Sequence, residues 1–380
     1  MIYLDHHGTS PLSALAKDAM RAALDRELAN PSSIHRAGRA TRGLIETARS
    51  QLAAQCGAMP RELVFTSGGT EALHLAVHST ATTMPARAIF VDPGAHPALD
   101  AACRNTAKSL GASFAVLSPS PAGSIDLAAL DRALASAAQP AVVGASWVQH
   151  ELGAIANLRA IIDTAHKRGA VVVVDAVQAL GKIPVDLGAT GAVAAAISAH
   201  KIGGPTGVGA AWIRHDRRAA PLIEGGAQER GLRAGTENTL GVVGFGAAAG
   251  EIPARLAAMP ALAVRRDAFE RRVLAIDGVR QTASGITRTA TAAHFLVSDV
   301  AGEELVAALD LDRVCVSSGP ACSSGRAGVS KALVAMFPSL ERALEGALRV
   351  TLAPSTTEAM LDEAASILER VIPRVRGTPR

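Results

Sequence analysis

The 380-residue sequence predicts an α/β fold: a large domain on a mostly parallel central sheet, joined to a smaller α+β domain. Two observations predict the large domain. Between about residues 60 and 215, short apolar runs alternate with helically periodic stretches, as successive strand–helix units require. The runs are also apolar without alternation, most clearly Val171-Val-Val-Val-Asp175, which is how strands covered on both faces read. A third observation separates the smaller domain: the texture changes near residue 250, where helices and strands no longer alternate as regularly.

Taken in order, the apolar runs predict strands at Leu63–Thr66, Ala88–Asp92, Ser113–Leu117, Ala141–Ser146, Val171–Asp175, Ala192–Ser198 and Val208–Ile213. Helical periodicity predicts Glu71–Ser79, Leu99–Leu110, Leu127–Ala137 and Leu158–Lys167 between them. Farther on, Ala261–Ile276 reads as a helix with Pro260 in its first turn, followed by a strand at Ala293–Val297 and a helix at Glu303–Asp310. A strand at Val314–Ser317, a Gly/Ser-rich turn, a helix at Val329–Phe337, a strand at Leu348–Leu352 and a helix from Thr357 complete the chain. The division is residues 11–250 for the large domain, and 1–10 with 251–380 for the small one.

Composition narrows the function classes. Apolar residues at 49% and charged residues at 19% exclude a disordered chain. Aromatics at 3% leave few platforms for base stacking, and a net charge of +4 over this length is too weak for a nucleic-acid footprint. Arg370, Arg374, Arg376 and Arg380 make a mildly basic end, read as a solvated helix end or as a docking site for an acidic partner. Four cysteines are too few for a disulfide scaffold, the start MIYLDHHGTS lacks a leader pattern, and no charge-free apolar run of about 18 residues is present. The expectation is a cytoplasmic protein with free thiols, without membrane or nucleic-acid partners and without a metal.

Four stretches carry chemistry. Lys201, in Ser198-Ala-His-Lys201-Ile-Gly-Gly, follows an apolar strand, where α/β sheets bind ligands; it also reads as a surface lysine. Asp175 ends a strand three residues before Gln178. Such a carboxylate suits a protonated pyridine ring, and a lysine nearby suits a Schiff base, although Asp175 equally reads as a helix N-cap. Thr66-Ser-Gly-Gly69-Thr70-Glu71, between strand and helix, suits a phosphate at a helix N-terminus or a plain capped turn. His96 opens the next helix, as a ring-stacking or acid/base group or only as a cap.

The fourth stretch is Ser317-Ser-Gly-Pro-Ala-Cys322-Ser-Ser-Gly. Cys322 stands among small polar residues, unlike a structural cysteine, whereas Cys56, Cys103 and Cys315 suit core or incidental positions. Arg349 interrupts the apolar run Leu348–Leu352, where its planar fork suits a substrate carboxylate or an internal ion pair.

Assembled, the chain resembles the cysteine desulfurases of the class V aminotransferase group, with the type I fold of pyridoxal-phosphate enzymes. The resemblance runs through Ile2-Tyr-Leu-Asp5, Asn30-Pro-Ser-Ser33, Phe65–Glu71, His96, Asp175-Ala-Val-Gln178, Ser198–Lys201, Glu229–Thr236, Ser317–Cys322 and Leu348–Leu352. It implies that Lys201 bonds the cofactor and moves protons, and that Asp175 meets the ring nitrogen. It implies further that Gln178 bonds the phenolic oxygen, that His96 stacks on the ring, and that Gly69, Thr70, Ser198 and His200 hold the phosphate. Thr236 would reach the phosphate of a neighbouring subunit, implying a homodimer. Arg349 and Asn30 would hold the carboxylate of L-cysteine, and Cys322 would take its sulfur as a persulfide for a scaffold or carrier in Fe–S cluster or thio-cofactor assembly.

The sequence departs from the family pattern at His150, where the family has an Asn that contacts the cofactor, at His6, His7 and Gly8, at His74, and at Ala353-Pro354. A selenocysteine lyase, another class V lyase or aminotransferase, and a silent cofactor-binding partner protein are the alternative readings.

Overall fold

A computed structural model describes residues 1–319 and 329–377. In chain order its first elements are β1 (Ile2–Tyr3), α1 (Ala14–Leu24), α2 (Arg36–Cys56), β2 (Leu63–Thr66), α3 (Gly69–Thr83), β3 (Ala88–Val91), α4 (Pro97–Leu110) and β4 (Ser113–Val116). Next come α5 (Leu127–Ser136), β5 (Ala141–Ser146), α6 (Leu158–Lys167), β6 (Val171–Asp175), α7 (Leu187–Thr190), β7 (Ala194–Ser198), β8 (Gly209–Ile213) and α8 (Thr239–Ala249). The last are α9 (Ile252–Leu274), β9 (Val279–Gln281), β10 (Ala292–Val297), α10 (Gly302–Leu311), β11 (Val314–Cys315), α11 (Lys331–Met336), β12 (Ala347–Thr351) and α12 (Glu358–Arg376).

A seven-stranded sheet runs in the order β2-β8-β7-β6-β5-β3-β4. Only β8 opposes its neighbours; β7, β6, β5, β3 and β4 are mutually parallel. Every residue of β5, β6 and β7 is buried, because helices cover both sheet faces. Leu73 and Leu99 from α3 and α4 pack on one face, and Ile45, Leu130, Ile161 and Phe245 from α2, α5, α6 and α8 on the other. Because the strands are parallel, Ser146, Asp175 and Ser198 emerge at one sheet edge, with Asp92 directly beyond β3.

A second apolar core holds Phe269, Phe295, Leu305 and Leu368 around the antiparallel sheet β12-β10-β9. Ile2 and Leu4 belong to this core, since β1 pairs in parallel with β11 and Thr351 N donates to Leu4 O at 2.7 Å. The N-terminal segment thus crosses from the second core to the edge of the large sheet, where Ser10 N donates to His200 O at 2.9 Å.

Two expectations need correction. The helix expected to start at residue 261 starts at Ile252 and carries Pro260 inside it. The proline ring faces solvent there, and Pro253 takes the first-turn position instead. The strand expected at Val314–Ser317 closes at Cys315, with Ser317 forming only an isolated bridge to Arg349. Of the basic C-terminal residues, Arg370 and Arg374 both pair with Asp312; Arg380 lies outside the described residues. Among the described residues, no helix is long and apolar enough to cross a membrane, and no group of His, Cys, Asp or Glu is placed to hold a metal.

Candidate active site

A cavity of about 370 Å³ opens at the C-terminal edge of β5, β6 and β7. Lys201, in the short turn after β7, lines it and donates from Nζ to His7 O at 2.6 Å and Gly8 O at 2.7 Å. A Cβ at Gly8 would lie 2.4 Å from Asp5 Oδ2, so a larger residue there would displace the Asp5 carboxylate. The amine is therefore aimed by carbonyls of the N-terminal segment, which the second core anchors.

Asp175 is buried at the end of β6, with Oδ1 accepting from Val177 N at 3.0 Å. Burial pushes its carboxyl up to about 6, against the pull of Val177 N–H and Lys201. The linkage has a definite sign. A carboxyl that ionises near 3.8 when unfolded and near 6 when folded binds more protons in the native state between those values. The stability of the cofactor-free protein therefore falls as pH rises through that window, by roughly 3 kcal/mol in total. Asp175→Asn is expected to raise the unfolding midpoint of the cofactor-free protein at pH 8 and to leave it little changed at pH 4. Calorimetry at the two pH values checks this, and a midpoint lowered at pH 8 would contradict it.

Opposite Asp175, α3 begins at Gly69 with no side chain capping its first turn. Its first N–H groups thus remain available for an anion. Gly69 leaves the space in front of Ser198 open, since a Cβ would lie 3.3 Å from Ser198 Cβ and 3.0 Å from Val177 Cγ2. Ser198 Oγ is buried there with no hydrogen-bond partner among the described residues, and Thr70 and His200 line the same end. The loop behind is braced: Glu229, in left-handed backbone, takes Arg49 Nη2 at 2.7 Å and Phe65 N at 2.8 Å, while Arg233 Nε donates to Glu71 in the first turn of α3. The buried ion pair holds the strained turn in place.

His96 caps α4, with Nδ1 accepting from Ala98 N at 3.1 Å, and meets the His150 ring edge-to-face at 4.9 Å. Burial foremost, then Lys201 and Arg349, lowers His96 to about 4; burial also holds His150 well below the usual imidazole range. Both rings are neutral at pH 7. Arg349 is buried, lines the cavity, and donates from Nη2 to Asp5 Oδ1 at 2.8 Å, while its Nε is unpartnered among the described residues. The internal ion pair is thus present, with guanidinium capacity to spare.

Gln178 also lines the cavity, but both its polar atoms are engaged: Nε2 donates to His7 O at 3.0 Å, and Oε1 accepts from Lys182 Nζ at 2.5 Å. Asn30 is not brought to the cavity; it is exposed, and its Oδ1 closes a turn onto Ser32 N. Thr236 is likewise exposed and outside the cavity of the single chain. Cys322 lies outside the described residues. Cys56 and Cys103 are buried as expected, while Cys315 is only partly so.

Three participants were not expected: the His7 carbonyl, Lys182, and Glu151. Glu151 is fully buried beside His150 and accepts from Ser330 Oγ at 2.5 Å. Lys182 alone carried a sequence signal, a lysine four residues after Gln178 in an otherwise apolar stretch. Together the groups can hold an anion at α3, a cationic ring against Asp175, and an electrophilic carbon at Lys201.

The family model for aminotransferase class-V matches residues 2–363. The IscS-like cysteine desulfurase of Mycobacterium tuberculosis (strain ATCC 25618 / H37Rv) is 36% identical over 99% of this chain and 97% of its own length. A cysteine desulfurase of Cereibacter sphaeroides is also 36% identical, over the same shares. Among solved structures, a NifS-like protein from Rickettsia africae ESF-5 superposes with a TM-score of 0.86 at 27% identity, covering 98% of this chain and 99% of that one.

Proposed function

We propose, because this chain belongs to the aminotransferase class-V family, that it is a pyridoxal-phosphate-dependent cysteine desulfurase of fold type I. In this reading L-cysteine becomes L-alanine and its sulfur passes to Cys322. The observation that carries it is the convergence on one cavity of Lys201, Asp175 and the Ser198 hydroxyl, which is unpartnered among the described residues.

The residues fit the cofactor. Among the described residues Ser198 Oγ has no hydrogen-bond partner, and the Gly69 backbone leaves room before it, as a phosphate would need. Asp175 bears a desolvation penalty that a cationic ring nitrogen would relieve. Lys201, Asp175 and Gln178 would hold the ring, and Gly69, Thr70, Ser198 and His200 the phosphate. When bound, the cofactor supplies an electron sink for charge developing at the substrate's α-carbon.

The chain's own groups do the rest. The Arg349 guanidinium binds the substrate carboxylate. Lys201 Nζ moves protons at the α-carbon, and neutral His96 covers the ring face and is available as a proton acceptor. The Cys322 thiolate forms a bond to the substrate sulfur as the carbon–sulfur bond breaks; the bonding pair stays with the substrate's β-carbon, which takes up a proton, so that the persulfide stays on the protein and alanine leaves. An acceptor scaffold or carrier protein then takes the sulfur. Residues 11–250 act as the cofactor-binding domain, with 1–10 and 251–380 as the smaller one. The protein works in the cytoplasm as a homodimer in which Thr236 of each protomer serves the other's phosphate.

The purified protein, expected to be yellow, is incubated with L-cysteine while alanine and sulfide are measured with and without a thiol reductant. Alanine release with reductant-dependent sulfide is the expected result; absence of alanine overturns the reading. Gel filtration that returned an active monomer would remove the role given to Thr236.

A further inference from the structure

We propose that Lys182 is a positioning residue for the cofactor: its Nζ fixes the orientation of the Gln178 amide, and through it the carbonyl that aims Lys201. The geometry determines the amide from both sides. The His7 carbonyl oxygen can only accept, so the Gln178 atom 3.0 Å from it is the amide nitrogen. The amide oxygen then faces Lys182 Nζ at 2.5 Å, which donates to it. The same His7 carbonyl accepts from Lys201 Nζ at 2.6 Å. Lys182 thus stands two hydrogen-bonded groups behind the reactive amine.

A structural purpose does not account for this lysine. It is 7% exposed, and among the described residues no carboxylate lies within ion-pairing distance of its Nζ. A buried amine without a counter-charge costs stability that an apolar side chain of the same length would avoid. Burial, followed by the nearby charges of Lys201 and Arg255, holds its pKa well below the usual lysine range. Among the described residues its Nζ donates to the Gln178 side chain, and this is what a positioning role requires. Removing that donor leaves Gln178 Oε1 buried and unpaired, and turning the amide to relieve it would set the oxygen against the His7 carbonyl. In the first case the His7 carbonyl alone holds the amide, and in the second the Gln178 N–H no longer faces that carbonyl.

The inference rests on the proposed cofactor role of Gln178. The test uses full-length Lys182→Met, Gln178→Leu and the double variant. Three quantities are measured: the visible absorption maximum of the cofactor-loaded protein, cofactor affinity by equilibrium dialysis, and the unfolding midpoint without cofactor. Lys182→Met is expected to move the absorption maximum and weaken cofactor binding about tenfold, the scale of one buried hydrogen bond. Gln178→Leu should do the same, and the double variant no more than either, since both act through one amide. The cofactor-free midpoint of Lys182→Met should be unchanged or higher.

An unmoved absorption maximum with affinity within twofold overturns the inference. So does additivity in the double variant, or a Lys182→Met protein that fails to fold, since the lysine would then be structural. Lys182→Gln keeps a donor and should return the absorption maximum towards that of the wild type. Failure of the wild type to take up cofactor would instead strike the proposed function itself.

Discussion

Replacing Cys322 by serine is expected to cut alanine release from L-cysteine by a factor on the order of a thousand, the scale of losing a nucleophile. Colour and unfolding midpoint should be retained. The loss should be this large because no other thiol can stand in. Cys56 and Cys103 are buried, and burial pushes the Cys56 thiol up to about 12 and Cys103 higher still, so neither supplies thiolate near pH 8. Cys315 is paired with Tyr3 between β11 and β1 rather than at the cavity. An alanine assay under single-turnover conditions makes the measurement. Equal rates for Cys322→Ser and the wild type would remove the thiol from the reaction, whatever the cofactor does.

The second large effect is expected at Lys201. In Lys201→Ala the α-carbon proton loses its carrier, a loss of roughly 10²–10⁴ in rate. The covalent hold on the cofactor goes with it. Borohydride treatment followed by peptide mass analysis should tag the peptide containing residue 201 in the wild type and tag nothing in the variant. The His7 and Gly8 carbonyls also lose the donor between them, so the cofactor-free variant should be modestly less stable, by about 1–3 kcal/mol. Added small primary amines should restore part of the rate. A tagged peptide elsewhere in the wild type would place the reactive amine on another residue.

Much of the large sheet is legible in the sequence because its parallel strands are buried on both faces, so each is a short apolar run between periodic helices. Strands β5 and β6 begin and end where the runs do. Lys201, Asp175, Ser198 and Gly69 are legible for a related reason: each sits at a strand end or a helix start, where composition changes abruptly. Helix α8 is not legible by periodicity, because Thr239-Leu-Gly-Val-Val-Gly-Phe-Gly is apolar all round. Its glycines serve packing instead: a Cβ on Gly244 would lie 2.7 Å from Met20 Sδ in α1, and one on Gly246 2.6 Å from Ala48 Cα in α2. Within the site, the groups that aim Lys201 are backbone carbonyls, and a carbonyl carries no side-chain signature. Asn30 shows the converse, a suitable residue type spent on an exposed turn.

The crossing of the N-terminal segment bears on how the protein is made. Thr351 Oγ1 accepts from His7 N at 3.0 Å, and the carbonyl of that same His7 aims Lys201. The partners are separated by 344 positions in sequence. A nascent chain leaving the ribosome can therefore assemble the large sheet early, but must wait for nearly all of its translation before the reactive amine is held in place. Loop closure over such a span is slow relative to local folding. Premature termination upstream of β12 would yield a chain that can build much of its sheet yet cannot aim the lysine at its edge.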